Sequence, residues 1–249
     1  MALTLTGTQQ AMVRTVLLAL GLSLAGWFVG HGFARGRSAD RYVTVKGVSE
    51  REVRANLALW PLRIVATDND LARAQARIAT SVQEIRRFLA RNRVDTAGVE
   101  LQGYEVNDAY ANQFRSSGEV GNRYVIRQTV MVRSEQPDVV LAASQRVGEL
   151  VDAGVVLSSG GEYGSGGPTF LFTQLNTLKP QMIAEATARA RESAQQFARD
   201  SRSALGGIRT ASQGMFEILP RDQAPGVQEE SQLVKIVRVV STVEYFLRD

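Results

Sequence analysis

Four small groups of side chains in this sequence have types and spacings that could do chemistry. Glu50 and Glu52 lie two residues apart, on the same side of an extended chain. Paired carboxylates are what acid–base hydrolysis or elimination requires, but acids this close at a turn read more simply as a solvated corner. Ser49 with Lys46 has the composition of a Ser-Lys dyad. Both are expected in a surface turn, where nothing would lower the lysine's pKa. Asp68-x-Asp70 opens like a calcium loop, yet Ala72 and the missing loop glycine break that motif. Capping of a following helix accounts for both acids, because a helix N-terminus attracts negative charge. Gly160, Gly161, Gly164, Gly166 and Gly167 form the richest glycine stretch but match no phosphate-binding loop. Pro168-Thr169-Phe170 leads from it into a strand, so a flexible hairpin is expected.

Two compositional facts narrow the chemistry further. The 249 residues contain no Cys, which removes disulfides, thiol nucleophiles and cysteine-ligated metals. The single His, His31, sits in an apolar N-terminal stretch, so no imidazole is available to the body of the protein. The sequence therefore assigns no catalytic, cofactor-binding or metal-ligating residue and implies no cofactor. It reads as a non-enzyme, the alternative being a carboxylate-dependent hydrolase or lyase built on Glu50 and Glu52. The net charge of +4 comes mainly from Arg14, Arg35, Arg37 and Arg41 against Asp40, leaving 25 basic and 24 acidic residues over 42–249. So even a balance is the wrong electrostatics for nucleic acid, which is not expected as a partner.

The elements that would position these residues follow from periodicity. Residues 42–46 and 53–67 read as strands, with Pro61 expected to interrupt the second or place it at an edge. Asp68-Asn69-Asp70 opens a helix with an inner stripe of Leu71, Ile78, Val82, Ile85 and Leu89, and with Arg73, Arg77, Glu84, Arg87 and Arg91 outside. Strands are expected over 99–110 and 124–133, joined by a polar loop, then one helix from Pro137 to Gly154 with Val140, Ala143, Val147 and Leu150 inward. Short strands at 155–159 and 170–174 precede a long helix that starts near Pro180, capped by Asn176 or Thr177, and ends at Gly206-Gly207. Its inner face is small: Ile183, Ala186, Ala190, Ala194, Phe197 and Leu205. Strands at 208–219 and 233–247 close the chain, the last apolar on both faces and so central or covered at an interface. Strand–strand–helix units repeated three times predict an α+β fold, antiparallel sheet packed by long helices.

Residues 15–34 carry no formally charged side chain, and twenty residues make a helix of about 30 Å, the thickness of a bilayer's hydrocarbon core. The expected organisation is a short tail (1–14), a transmembrane anchor or uncleaved signal (15–34), a linker (35–40) and one domain (41–249). Cleavage near Ala34, giving a soluble periplasmic protein, is the alternative. Gly26-x-x-x-Gly30 is a weak signal for helix pairing in the membrane.

Over about 41–249 the chain resembles the SIMPL-domain family, in particular its bacterial envelope branch. The matching residues are Val43-Thr44-Val45-Lys46-Gly47-Val48-Ser49-Glu50-Arg51-Glu52-Val53 through Leu59-Trp60-Pro61, and Lys179-Pro180-Gln181-Met182-Ile183-Ala184-Glu185-Ala186-Thr187 continuing into Ala190-Arg191, Phe197-Ala198-Arg199-Asp200-Ser201 and Leu205-Gly206. Gln213-Gly214-x-Phe216, Arg221-Asp222 and Lys235-x-Val237-Arg238-Val239-Val240 through Tyr245 complete the similarity, while the glycine-rich 162–168 segment departs from it. The resemblance implies an exported envelope protein without established enzymatic activity or cofactor, in a family with stress-associated members and large homo-oligomers. It places the domain in the periplasm on a single-pass inner-membrane anchor, with homo-oligomeric assembly and the lipid bilayer (through 15–34) as partners. The flanking arginines, counted by the positive-inside rule, instead favour a cytoplasmic signalling adaptor.

Overall fold

In the computed structural model the described residues are 7–38, 41–111, 121–158 and 167–248. They form an N-terminal helix α1 (Gly7–Ser38) followed by a mixed α+β body. The body runs β1 (Tyr42–Arg54), β2 (Leu57–Asp68), α2 (Leu71–Arg91), β3 (Val99–Asp108), β4 (Tyr124–Ser134), α3 (Pro137–Ser144) and α4 (Gly148–Asp152). It continues with β5 (Thr169–Leu171), α5 (Leu175–Asp200), β6 (Ala204–Gln213), β7 (Glu217–Pro220), a 3₁₀ turn (Glu229–Ser231) and β8 (Val234–Arg248). The strands make two four-stranded sheets, one ordered β3-β4-β2-β5, the other β1-β8-β6 with β7 also on β8. The expected α+β class with antiparallel sheets holds. Sequence neighbours β1 and β2 nevertheless go to different sheets, and the central position expected for the last strand is the one β8 takes.

The chain divides into two compact units, residues 1–48, 185–214 and 240–249, and residues 49–184 and 215–239. In the larger unit β2 alternates from Ala58 onward, its even residues Ala58, Trp60, Leu62, Ile64 and Ala66 buried. Pro61 neither interrupts β2 nor costs a bond to β4. The N–H of Val65 and the carbonyl of Arg63 bond to Val156 and Ser158, so the odd residues, Pro61 among them, turn their backbone groups away from β4. Against the even face lies α2, with Ala74, Ile78, Val82, Ile85, Phe88 and Leu89 buried and Trp60 edge-on to Phe88, ring centroids 6.4 Å apart. Leu71, expected in that stripe, is exposed, and Ala74 takes the first turn instead. Asp70 caps the helix by accepting from the Arg73 N–H at 3.0 Å.

Other boundaries differ from expectation for local reasons. The single helix expected from Pro137 to Gly154 is two, α3 and α4, separated at residues 145–147; Val140, Ala143 and Leu150 still point inward, and Val147 is half-buried. In place of the strand expected at 155–159, Leu157 makes one bridge to Ile64, and the strand expected at 170–174 shortens to β5. The turn expected between two N-terminal strands is absent, because β1 runs unbroken through residues 46–52. The strand expected over 208–219 is split into β6 and β7. The polar loop at 112–120 and glycines 160, 161, 164 and 166 lie outside the described residues.

The smaller unit is set by close approach. Its core is Val43, Ala190, Ala194, Val243 and Tyr245, with Val45, Leu205 and Leu247 packed against it. A Cβ placed on Gly47 of β1 would sit 1.8 Å from the Ala186 carbonyl oxygen and 2.5 Å from the Ala190 nitrogen, so strand and helix backbones touch. Arg189 Nη1 donates to the Val48 carbonyl at 2.7 Å beside this contact. On α5 the buried stripe is Ala186, Ala190, Ala194 and Ala198, repeating every fourth residue. Phe197 was expected on it but is 50% exposed, because position 197 is turned about 100° from Ala198. The helix starts at Leu175, leaving Pro180 inside it, and stops at Asp200, before Gly206-Gly207. Arg202 at φ 54° reverses the chain, and the Ser203 N–H closes onto the Ala198 carbonyl at 2.9 Å. Ala190→Leu should overpack the Gly47 contact and lower stability by roughly 1–3 kcal/mol. Urea unfolding checks this, and an unchanged midpoint would show the alanine stripe to be loosely packed.

Candidate functional site

The residues singled out for chemistry are dispersed over the fold. Glu50 and Glu52 occupy the exposed side of β1, as their spacing requires. Glu50 Oε1 lies 3.3 Å from Arg238 Nε, and the Glu52 charge is among those that hold the Arg221 guanidinium charged, after its hydrogen bond to Asp222. Both carboxylates lie at exposed positions of the strand.

Ser49 is a correction. It was expected in a surface turn, but it is fully buried in β1, whereas Lys46 is exposed. Their three-residue separation in a strand puts them on opposite faces, so no dyad forms. Asp68 and Asp70 open α2 as a capping pair. Asp68 accepts from the Asp70 N–H and from Arg73 Nε, each at 3.0 Å, and Arg73 Nη2 adds a third contact at 2.9 Å. These bonds, Arg73 first, hold the Asp68 carboxyl below the usual carboxylate range. Arg54 holds the Asp138 carboxyl low in the same way at the start of α3. Arg123 grips Asp108 through Nε and Nη2 while stacking over Tyr124, pinning the open ends of β3 and β4. Among the described residues no group of three or more His, Asp or Glu is placed to hold a metal ion.

One buried charge was passed over in the sequence. Lys235 is fully buried, its Nζ 2.5 Å from Glu229 Oε1 and 2.5 Å from the Glu229 carbonyl oxygen. Its signal was present, since strand parity places Lys235 with Val237, Val239 and Val243 on the buried face of β8. The ammonium ties the 3₁₀ turn to β8, and Gln232 holds the same loop by accepting from the Asp222 N–H and donating to its carbonyl. This arrangement is structural, and it anchors a loop.

With the fold and these residues in place, comparison with known families is decisive on one point. Residues 43–243 match the family model SIMPL, described as a protein of unknown function (DUF541), and the chain belongs to that family. A comparison with curated proteins finds no match. The family assignment is consistent with a non-enzymatic role.

Glu229→Gln would leave the buried Lys235 ammonium without its counter-charge and should cost toward the lower end of roughly 3–5 kcal/mol, because Glu229 is itself partly exposed. Lys235→Met combined with Glu229→Gln, which removes both charges of the pair, should be near neutral or stabilising. Chemical denaturation of both variants checks the contrast, and equal losses would mean that the lysine acts through its length alone.

Proposed function

We propose that this protein is a non-enzymatic cell-envelope protein, a membrane-anchored SIMPL domain that works by binding other proteins, copies of itself foremost. The observation that carries the anchor is α1. Its segment Arg14–Gly32 is 19 residues long with mean hydropathy 1.5, and its apolar side chains are exposed, including Leu17, Leu18, Leu22, Phe28 and Val29. Exposed leucine and phenylalanine at this density leave water only for lipid or another helix. Trp27 stacks on His31 with ring centroids 4.5 Å apart near the C-terminal end of the span, where amphipathic rings meet the bilayer interface.

Self-association draws support from two strand edges. β3 and β6 each lie at the end of a sheet and leave most of their residues exposed, the surface that a second chain pairs with. The reading gives the anchored protein a mass several times 27.2 kDa. Multi-angle scattering of the full-length protein in detergent, corrected for bound detergent, reads this directly, and a monomer would end the assembly reading.

The domain is proposed to face the periplasm as the envelope branch of the family does. Against it stand Arg35, Arg37 and Arg41 after the span, an excess over Arg14 before it that falls to about one charge once Asp40 is counted. Protease added to intact spheroplasts should digest residues 41–249. Protection until the membrane is lysed would instead place the domain in the cytoplasm, as the arginines favour.

A further inference from the structure

A half-enclosed cleft of about 370 Å³ opens in the larger unit between α2, β2 and the link that follows α4. One wall is a single stripe of α2, Arg77, Thr80, Ser81 and Glu84, at steps of three, four and seven residues. The rest of the lining includes small apolar residues, Ala66, Ala76, Ala153 and Val155. The far wall is the edge of β2. Past Val65, whose N–H bonds to Val156, alternation turns the backbone groups of Thr67 in the same direction as those of Val65. The Thr67 carbonyl takes a long bond from Arg77 Nη1 at 3.4 Å.

Arg77 is held loosely in this cleft. Its other contact is to Asp68 at 3.3 Å, and Asp68 keeps two shorter bonds from Arg73 and one from the Asp70 N–H when Arg77 leaves it. A guanidinium has five donors in a fork suited to a carboxylate, so a carboxylate entering the cleft replaces two long contacts with a bidentate pair. At the other end, Glu84 Oε1 binds Arg87 at 2.6 Å, an i,i+3 pair across the helix surface of the kind worth little by itself. Seven residues separate Arg77 and Glu84, about 10 Å along the helix axis. That matches the span of about three residues of extended chain.

We propose that the cleft binds a short zwitterionic peptide of about three small residues, its carboxylate on Arg77 and its ammonium on Glu84. Its backbone lies along the β2 edge at Thr67, with the Thr80 and Ser81 hydroxyls between the two charged ends. A volume near the lower limit of ligand pockets, roughly 300–1,000 Å³, and alanines in the lining select small side chains. This goes beyond the anchoring and assembly reading and does not depend on it.

The probe is radiolabelled trialanine, measured by equilibrium dialysis against the full-length protein in detergent. Saturable one-to-one binding is expected, weakened about tenfold or more by acetylating and amidating the peptide ends, and by Arg77→Gln or Glu84→Gln singly. Arg91→Gln, on the same helix outside the cleft, should bind as the wild type does. All three variants change exposed or half-exposed positions, and an unaltered melting curve confirms that each is folded. Absence of saturable binding, or capped and free peptides binding equally, overturns the proposal. Loss in Arg77→Gln with none in Glu84→Gln means a ligand held by its carboxylate alone, which overturns the two-ended assignment.

Discussion

The backbone contact at Gly47 governs the smaller unit of this fold. Strand and helix meet so closely there that a single methyl on Gly47 would overlap a carbonyl oxygen of α5. Such proximity is possible only because the helix presents alanine at every fourth position, Ala186 through Ala198. Dispersion energy falls steeply with separation, so a backbone-to-backbone contact gains many atom pairs while burying few side-chain atoms. The cost is intolerance: neither side can accept a larger residue without moving an element. Three long elements, β1, α5 and β8, each contribute residues to both units.

The larger unit is held differently. Its core is built from large side chains, Trp60, Phe88, Phe170, Ile64 and Leu89 among them, between the β3-β4-β2-β5 sheet and α2. Its charged groups lie at the margins and tie ends down: Asp68 and Asp70 at the start of α2, Asp138 at the start of α3, Arg123 at the mouth of the β3–β4 pair. Lys235 with Glu229 does the same for the loop before β8. Most of these ions are exposed and contribute little each. Asp68 and Lys235 are buried, and the Lys235 ammonium is tolerable only while its carboxylate and carbonyl partners remain.

The paired carboxylates that first suggest catalysis lie on the exposed side of β1. Glu50 lies 3.3 Å from Arg238 Nε, and the Glu52 charge is among those acting on Arg221. The arginine-rich composition supplies the compensation: 26 of the 29 basic residues are Arg, whose planar fork pairs with carboxylates at strand and helix ends.

Local periodicity by itself determined the α+β class, the apolar N-terminal span, the α2 stripe from Ile78 to Leu89 and the alanine face from Ala186 to Ala194. Each of these depends on side-chain spacing along one element, and a single sequence records such spacing directly. The tertiary structure decided what depends on two segments meeting. It parted β1 from β2 into separate sheets, extended β1 through the residues expected to turn, and buried Ser49. It ended α5 at Arg202 in a left-handed conformation although two glycines waited four residues later, because Gly206 is needed in β6, where a Cβ would lie 2.9 Å from the Phe246 carbonyl oxygen. The cleft between Arg77 and Glu84 belongs to the same category. Both residues were legible as the outer face of a helix, but only the β2 edge and the link after α4, distant in sequence, turn part of that face into a wall.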